Sequence, residues 1–221
     1  MFLLRRPTSE MLARFVEGAQ RLDLSYAPIG LARETRPAGF RVAESQVVLG
    51  HGQAIYDRAV RLVAEWRPFD LGWVGIYPPD APVTTGTTVA VVAQHLGFWS
   101  VHACRVVYPL SEGTVPSPRS TGTVPSRVPS PVAAPAVAGF AYGTLTDHAE
   151  VGEEIFAVSF NPATGAVTYS IRAVSREGAL LARLGAPIAR AFQARFRRDS
   201  LAAMQRHIGA ASRRGAEGRT R

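Results

Sequence analysis

Two alternating runs on either side of a short polar turn, Gly139 to Phe160 (GFAYGTLTDHAEVGEEIFAVSF), constrain this chain more than any other stretch. Phe140, Tyr142 and Thr144 alternate with Ala141, Gly143 and Leu145. After Asp147-His148-Ala149-Glu150 the pattern resumes, with Phe156, Val158 and Phe160 on one face. A period of two in both arms predicts a β-hairpin. Glu153 and Glu154 open the second arm, and successive side chains on a strand point to opposite faces. Glu154 shares parity with Phe156, Val158 and Phe160, so it is placed on the covered face and Glu153 on the wet one. The assignment rests on the larger aromatics, because Ile155 and Ala157 make the other set apolar too. A carboxylate among aromatics needs a partner, since an unpaired buried charge is costly. The hairpin is therefore the chain's candidate site.

The 221 residues fit one domain with additions, and 47% apolar residues suffice for a sizeable core. Cys104 is the single cysteine, which excludes an internal disulfide and a multi-cysteine zinc site and suits a reducing cytoplasm. The opening MFLLRRPTSE is too short in apolar residues for a signal-peptide core, and no run reaches the length of a membrane span. A soluble cytoplasmic location is expected. All 25 basic residues are arginine, and the net charge is +8. Nine arginines against Asp199 and Glu217 lie between Ala186 and Arg221, so most of the excess sits at one end. A basic end of this kind can meet nucleic acid or an acidic partner, although a solvated helix and tail is the more ordinary outcome.

Residues 1–38 read as a helical extension lying against the main domain, with Ser9 as the helix cap and Met11, Leu12, Phe15 and Val16 as apolar positions. The main domain, 39–208, begins with a strand over Phe40–Leu49 and a turn at Gly50-His51-Gly52. An amphipathic helix follows, carrying Ile55, Ala59, Leu62, Val63 and Trp66. Strands are predicted at Leu71–Tyr77, Thr87–His95 and Trp99–Leu110. After the hairpin comes one more, through Val167, Tyr169, Ile171 and Ala173. Between them, 113–137 is rich in proline and serine and reads as a disordered insertion. Ser175 can cap a closing helical region that runs to about Ile208, followed by a disordered basic tail, 209–221. Ile188, Phe192 and Phe196 lie on one arc of that helix and Leu201, Met204 and Ile208 on another, so it is either buried on a wide face or touches two surfaces.

Strand, helix, antiparallel strands and long closing helix make an α+β chain of helix-grip layout: a curved antiparallel sheet wrapped around the C-terminal helix. Four motifs in this order carry a family resemblance: LGHGQAIYDRA, LGWVGIYPPDAPVTTGTTVAVVAQHLGFWSVHACRVVY, GFAYGTLTDHAEVGEEIF and RLGAPIARAFQARFRRDSLAAM. Together, from about Tyr26 to Met204, they resemble domain-of-unknown-function family 1990, of the UPF0548 type. Its layout is similar to that of the helix-grip lipid carriers, polyketide cyclases and plant ligand-binding proteins. The family implies no activity. His51 and His102 stand where the resemblance implies arginine and asparagine.

None of the five histidines stands at a compact metal-ligand spacing, there is no GxSxG elbow, and Thr84 to Ala90 lacks the lysine of a phosphate loop. No metal or cofactor is implied. His148, with Glu150, Glu153 and Glu154 nearby, either belongs to an acid–base cluster or decorates an exposed turn. Arg105 shares parity with Val101, Ala103 and Val107. If that face is inward it can neutralise Glu154 or hold an anionic ligand; if His102, Cys104, Val106 and Tyr108 face inward, it is a surface residue. Trp73, Tyr142 and Tyr169 can line a pocket with indole and hydroxyl donors, with Thr144 on Tyr142's face, or can be core. Three functions follow. The first is binding of a small, mostly apolar or amphipathic ligand between sheet and closing helix. The second is acid–base catalysis on such a ligand through Glu154 and Arg105. The third is nucleic-acid or acidic-partner binding through the arginine-rich end. Oligomeric state is left open.

Overall fold

The computed structural model describes residues 1–35, 37–110, 135–146, 148–178 and 186–217, with side chains of the last segment described over 190–210. Among these described residues eight strands and three α-helices follow in order: β1 (Phe2–Leu3), α1 (Ser9–Ala19), β2 (Arg41–His51), α2 (Gln53–Ala64), β3 (Val74–Tyr77), β4 (Thr88–Gln94), β5 (Trp99–Leu110), β6 (Ala136–Thr144), β7 (Glu150–Phe160), β8 (Ala166–Glu177) and α3 (Ala186–Glu217). The sheet is antiparallel in the order β2-β8-β7-β6-β5-β4-β3, and β1 adds to β5 at Trp99 and Ser100. The chain is thus α+β, a curled antiparallel sheet with a C-terminal helix against one face.

Alternation along the strands sorts the two faces. The helix-facing side buries Cys104, Val106, Phe140, Tyr142, Phe156, Val158, Val167, Tyr169 and Ile171 against α2 and against Met204 and Ile208 of α3. Trp66, left-handed at φ 57°, ends α2 and ties its indole N–H to the Ala81 carbonyl at 2.8 Å. The 3-10 turn that follows, Arg67–Phe69, drives Phe69 into the core against Phe156 and Phe196. The opposite side of the sheet is covered by residues 1–35. There α1 sets Leu12 and Val16 on Ala90 and Val101, while Tyr26, Leu31 and Ala32 pack on Val174.

Several boundaries differ from the sequence reading. Thr8, not Ser9, caps α1, its hydroxyl accepting from the Met11 N–H at 3.2 Å. Ser175 lies in β8, not at a helix start, because β8 continues through Glu177 to pair with the beginning of β7. Ala136 and Val137 belong to β6, where they pair with Phe160 and Ser159; the rest of the expected insertion, 113–134, falls outside the described residues. Residues 209–217, expected as disordered tail, continue α3, and 218–221 are outside the description. Of the two alternatives for α3, its described side chains fit one wide buried face: Phe196 reaches Phe69 and Phe156, and Leu201, Met204 and Ile208 join the same core further along.

Candidate functional site

The inward-facing residues of β7 and β8 change size along the strands. Where Phe156 pairs with Ile171 and Val158 with Tyr169, the space beneath the sheet is filled. Towards the other end Glu154 pairs with Ala173 and Gly152 with Ser175, and the small side chains leave a cavity of about 910 Å³ under the first turns of α3. Phe69, Trp73, Val91, Phe98, Phe192 and Phe196 make its walls largely apolar. Its volume lies within the range of about 300–1,000 Å³ usual for small-molecule sites.

The polar features are few and mostly held uncharged. Tyr142 and Glu154 face each other directly across the β6–β7 ladder, and the Tyr142 hydroxyl donates to Glu154 Oε2 at 2.8 Å. Burial pushes the Glu154 carboxyl up to about 7, against the lowering effect of the Tyr142 hydrogen bond and of Arg197. Burial likewise raises Glu150, which a hydrogen bond with Gln193 partly offsets. His148 is not an exposed turn residue. It lines the cavity, accepts the Glu150 N–H on Nδ1 at 2.9 Å, and is pushed down to about 4 by burial. His102, 4.7 Å from the His148 ring, is held well below the usual imidazole range by burial and by that neighbour. His95 bonds Ser100 Oγ at 2.7 Å and stacks on Phe98. The chamber thus sets the Glu150 and Glu154 carboxyls, both raised by burial, and the Arg197 guanidinium among neutral imidazoles and aromatic walls.

The other expected site residues divide. Trp73 lines the cavity and donates its indole N–H to Asp199 at 3.0 Å, with Arg195 stacked 4.2 Å above the ring. Thr144 lines the cavity too, but its hydroxyl is engaged by the Ser25 hydroxyl at 2.6 Å and by the Gly152 backbone, at 3.1 Å to the carbonyl and 2.9 Å from the N–H. Tyr169 does not reach the cavity. It is fully buried, its hydroxyl 3.1 Å from Ser200 Oγ, because α3 packs directly onto β8 there. Arg105 is on the wrong face to meet Glu154: Cys104 and Val106 face the helix, so Arg105 points to the N-terminal extension. It bonds Thr88 Oγ1 at 3.0 Å and the carbonyls of Ala19 and Gln20 at 3.1 and 3.0 Å. Cys104 is buried and its thiol pushed up by that burial.

Glu153 corrects the largest expectation. It is not wet but 2% exposed, on the face opposite the cavity's helix wall. Tyr26 OH donates to it at 2.7 Å, the Gly30 and Ala32 N–H groups each at 3.0 Å, and Tyr108 OH also bonds it. Tyr108 reaches that face because a register shift between Val106 and Tyr108 breaks the alternation of β5. Sequence reasoning missed this cluster, although Gly143 offered a signal: a Cβ there would lie 2.3 Å from the Tyr26 hydroxyl. Sequence reasoning also missed His95, Phe98 and His102 as cavity residues.

No helix among the described residues is long and apolar enough to cross a membrane, and none of their His, Cys, Asp and Glu side chains group as a metal site. A family model described as Domain of unknown function (DUF1990) matches residues 25–203. UPF0548 proteins of Dictyostelium discoideum and Deinococcus radiodurans are 27% and 30% identical. The alignments cover 95% of this chain in each case, and 96% and 100% of those proteins. The structure is similar to that of Ara h 8.0201, with a TM-score of 0.43 and 11% identity over 78% of this chain and 99% of that one. Human STARD10 is similar at a TM-score of 0.33 and 9% identity, over 89% and 81%.

Proposed function

The chain belongs to the DUF1990 family, a domain of unknown function, and from its cavity we propose that it binds a small, mostly apolar ligand between the sheet and α3. The carrying observation is the pairing of an apolar chamber of about 910 Å³ with a single cross-strand Tyr142–Glu154 pair on its wall. An apolar body gains by leaving water for such a chamber. A hydroxyl or carbonyl on that body finds at Glu154 either an acceptor or, in the protonated form, a donor. The Arg197 guanidinium on the chamber wall, beside the neutral imidazoles of His102 and His148, suits a polar or acidic end on an otherwise apolar ligand. A carrier or sequestering protein fits these features.

Glu154 held near 7 also favours a second reading, acid–base chemistry on the bound molecule, because a general base works best with a pKa near the working pH. Arg105 has no part in it. Native mass spectrometry of the purified protein tests both readings, with displacement of the neutral probe N-phenyl-1-naphthylamine measured alongside. Ala173→Phe, which fills the chamber next to Glu154, is expected to abolish probe binding while retaining cooperative melting. Equal binding by that variant overturns the cavity reading. A co-purified molecule whose mass changes on incubation favours the enzyme.

A further inference from the structure

The lip of the cavity is poorly adapted to water. Leu96, in the turn between β4 and β5, is 93% exposed, and Leu4, just after β1, is 87% exposed. Both line the cavity mouth with Phe2 and Phe98, whose rings meet edge to face at 5.9 Å. Pairing of Leu3 with Trp99 fixes β1 alongside this turn. The His95 N–H closes the turn on the Phe98 carbonyl at 2.8 Å, so the two segments project together. Gly97, at φ +85°, supplies the left-handed residue such a turn requires, yet the apex beside it carries a leucine where a polar residue is usual. Single exposed leucines are ordinary; apolar residues gathered on the rim of an apolar cavity mark a contact surface.

The charges flanking this lip are mainly positive. Arg5 and Arg6 follow Leu4 directly, both exposed, and the Arg6 guanidinium lies 5.7 Å over Trp99. No carboxylate among the described residues forms an ion pair with either. On the other side Arg195 covers Trp73, and it adds to the burial that holds His95 below the usual imidazole range. The carboxylate at that edge, Asp199, is engaged by Trp73, Arg195 and Arg198.

We propose that the Leu4–Leu96 lip docks on an anionic phospholipid bilayer, with the leucines entering the acyl boundary and Arg5 and Arg6 meeting lipid phosphates. The cavity would then open towards the membrane. The inference rests on the ligand-binding reading and narrows its ligand to an amphipathic molecule taken from, or delivered to, a lipid surface. A projecting apolar tip beside unpaired cations suits a bilayer interface, where apolar burial and attraction to anionic headgroups add together.

Co-sedimentation of the full chain tests this, using vesicles of phosphatidylcholine alone and of phosphatidylcholine with 30% phosphatidylglycerol. Binding is expected only with the anionic lipid. Arg5→Gln and Arg6→Gln should each weaken it about five-fold, and Leu96→Asp or Leu4→Asp by about tenfold or more. Both leucines are exposed, so folding should survive, and circular dichroism checks it. Absence of vesicle binding overturns the proposal. So does binding that the leucine variants leave intact, since that is adhesion by charge alone. A concentration-dependent dimer that Leu96→Asp dissolves, without vesicle binding, assigns the lip to a second copy and overturns it too. Probe binding separates the two readings: an intact cavity with no vesicle binding fails only the docking proposal, whereas vesicle binding without probe uptake fails the cavity reading.

Discussion

Tyr142 and Glu154 stand directly opposite one another on β6 and β7, with the phenol donating to the carboxylate at 2.8 Å on the cavity wall. The bond stabilises the charged carboxylate against a burial that favours the neutral acid. Removing it should therefore move Glu154 further from ordinary carboxylate behaviour. In Tyr142→Phe the Glu154 titration, followed by carbon-13 NMR of the side-chain carboxyl, is expected to shift upwards by about one unit. An unchanged midpoint would show that the hydrogen bond is not made in solution.

The same carboxyl ties stability to pH. Folded Glu154 titrates near 7 against an ordinary 4.5, so between these values the folded state holds more protons than the unfolded chain. Its contribution is fully present below pH 4.5 and is lost as the pH rises through 7. His148 works oppositely, with a folded value near 4 against 6.5: its contribution is present above 6.5 and lost as the pH falls towards 4. Glu154→Gln removes the first effect alone. Its gain in stability over wild type is expected to be larger at pH 8 than at pH 5, by on the order of 2–3 kcal/mol. Denaturant unfolding at the two pH values measures the difference, and equal gains would refute it.

Glu153→Ala is expected to destabilise the fold by roughly 3 kcal/mol or more, because it strands four donors in a buried place. The loss should begin locally. Amides of residues 24–35 are expected to gain hydrogen-exchange rates before those of β7, since the carboxylate fastens that segment to the sheet. Probe uptake by the cavity should survive at temperatures where the variant is folded. Uniform exchange throughout the molecule would contradict a local clamp.

Arg105→Ala should cost about 1–2 kcal/mol by releasing the carbonyls at the end of α1, and should leave probe affinity unchanged. A variant that melts like wild type but binds the probe poorly would return Arg105 to the cavity.

Much of the framework can be read from the chain because it is local. Alternation in 139–160 and 166–173, and the 3.6-residue spacing of Ile55, Ala59, Leu62 and Val63, specify strands and a helix through which side chains share a face. Parity also places Glu154 and Glu153 on opposite faces, and it is the larger aromatics after Glu154 that mark the helix side. What parity cannot say is whether the second face is wet. Tyr26, Gly30 and Ala32 lie more than 120 residues from Glu153 in sequence, and they cover that face only once the extension folds back over the sheet. The same holds for Arg105, whose acceptors are the carbonyls ending a helix about 85 residues earlier. A backbone bulge turned Tyr108 against its own alternation, and nothing in VHACRVVY announces it. Elements and shared faces are legible along the chain, because the geometry of a strand or helix is a property of neighbouring residues. Tertiary structure alone decided which partner each buried charge meets and where the sheet stays unfilled, because hydrogen bonds and cavities depend on which distant segment arrives opposite.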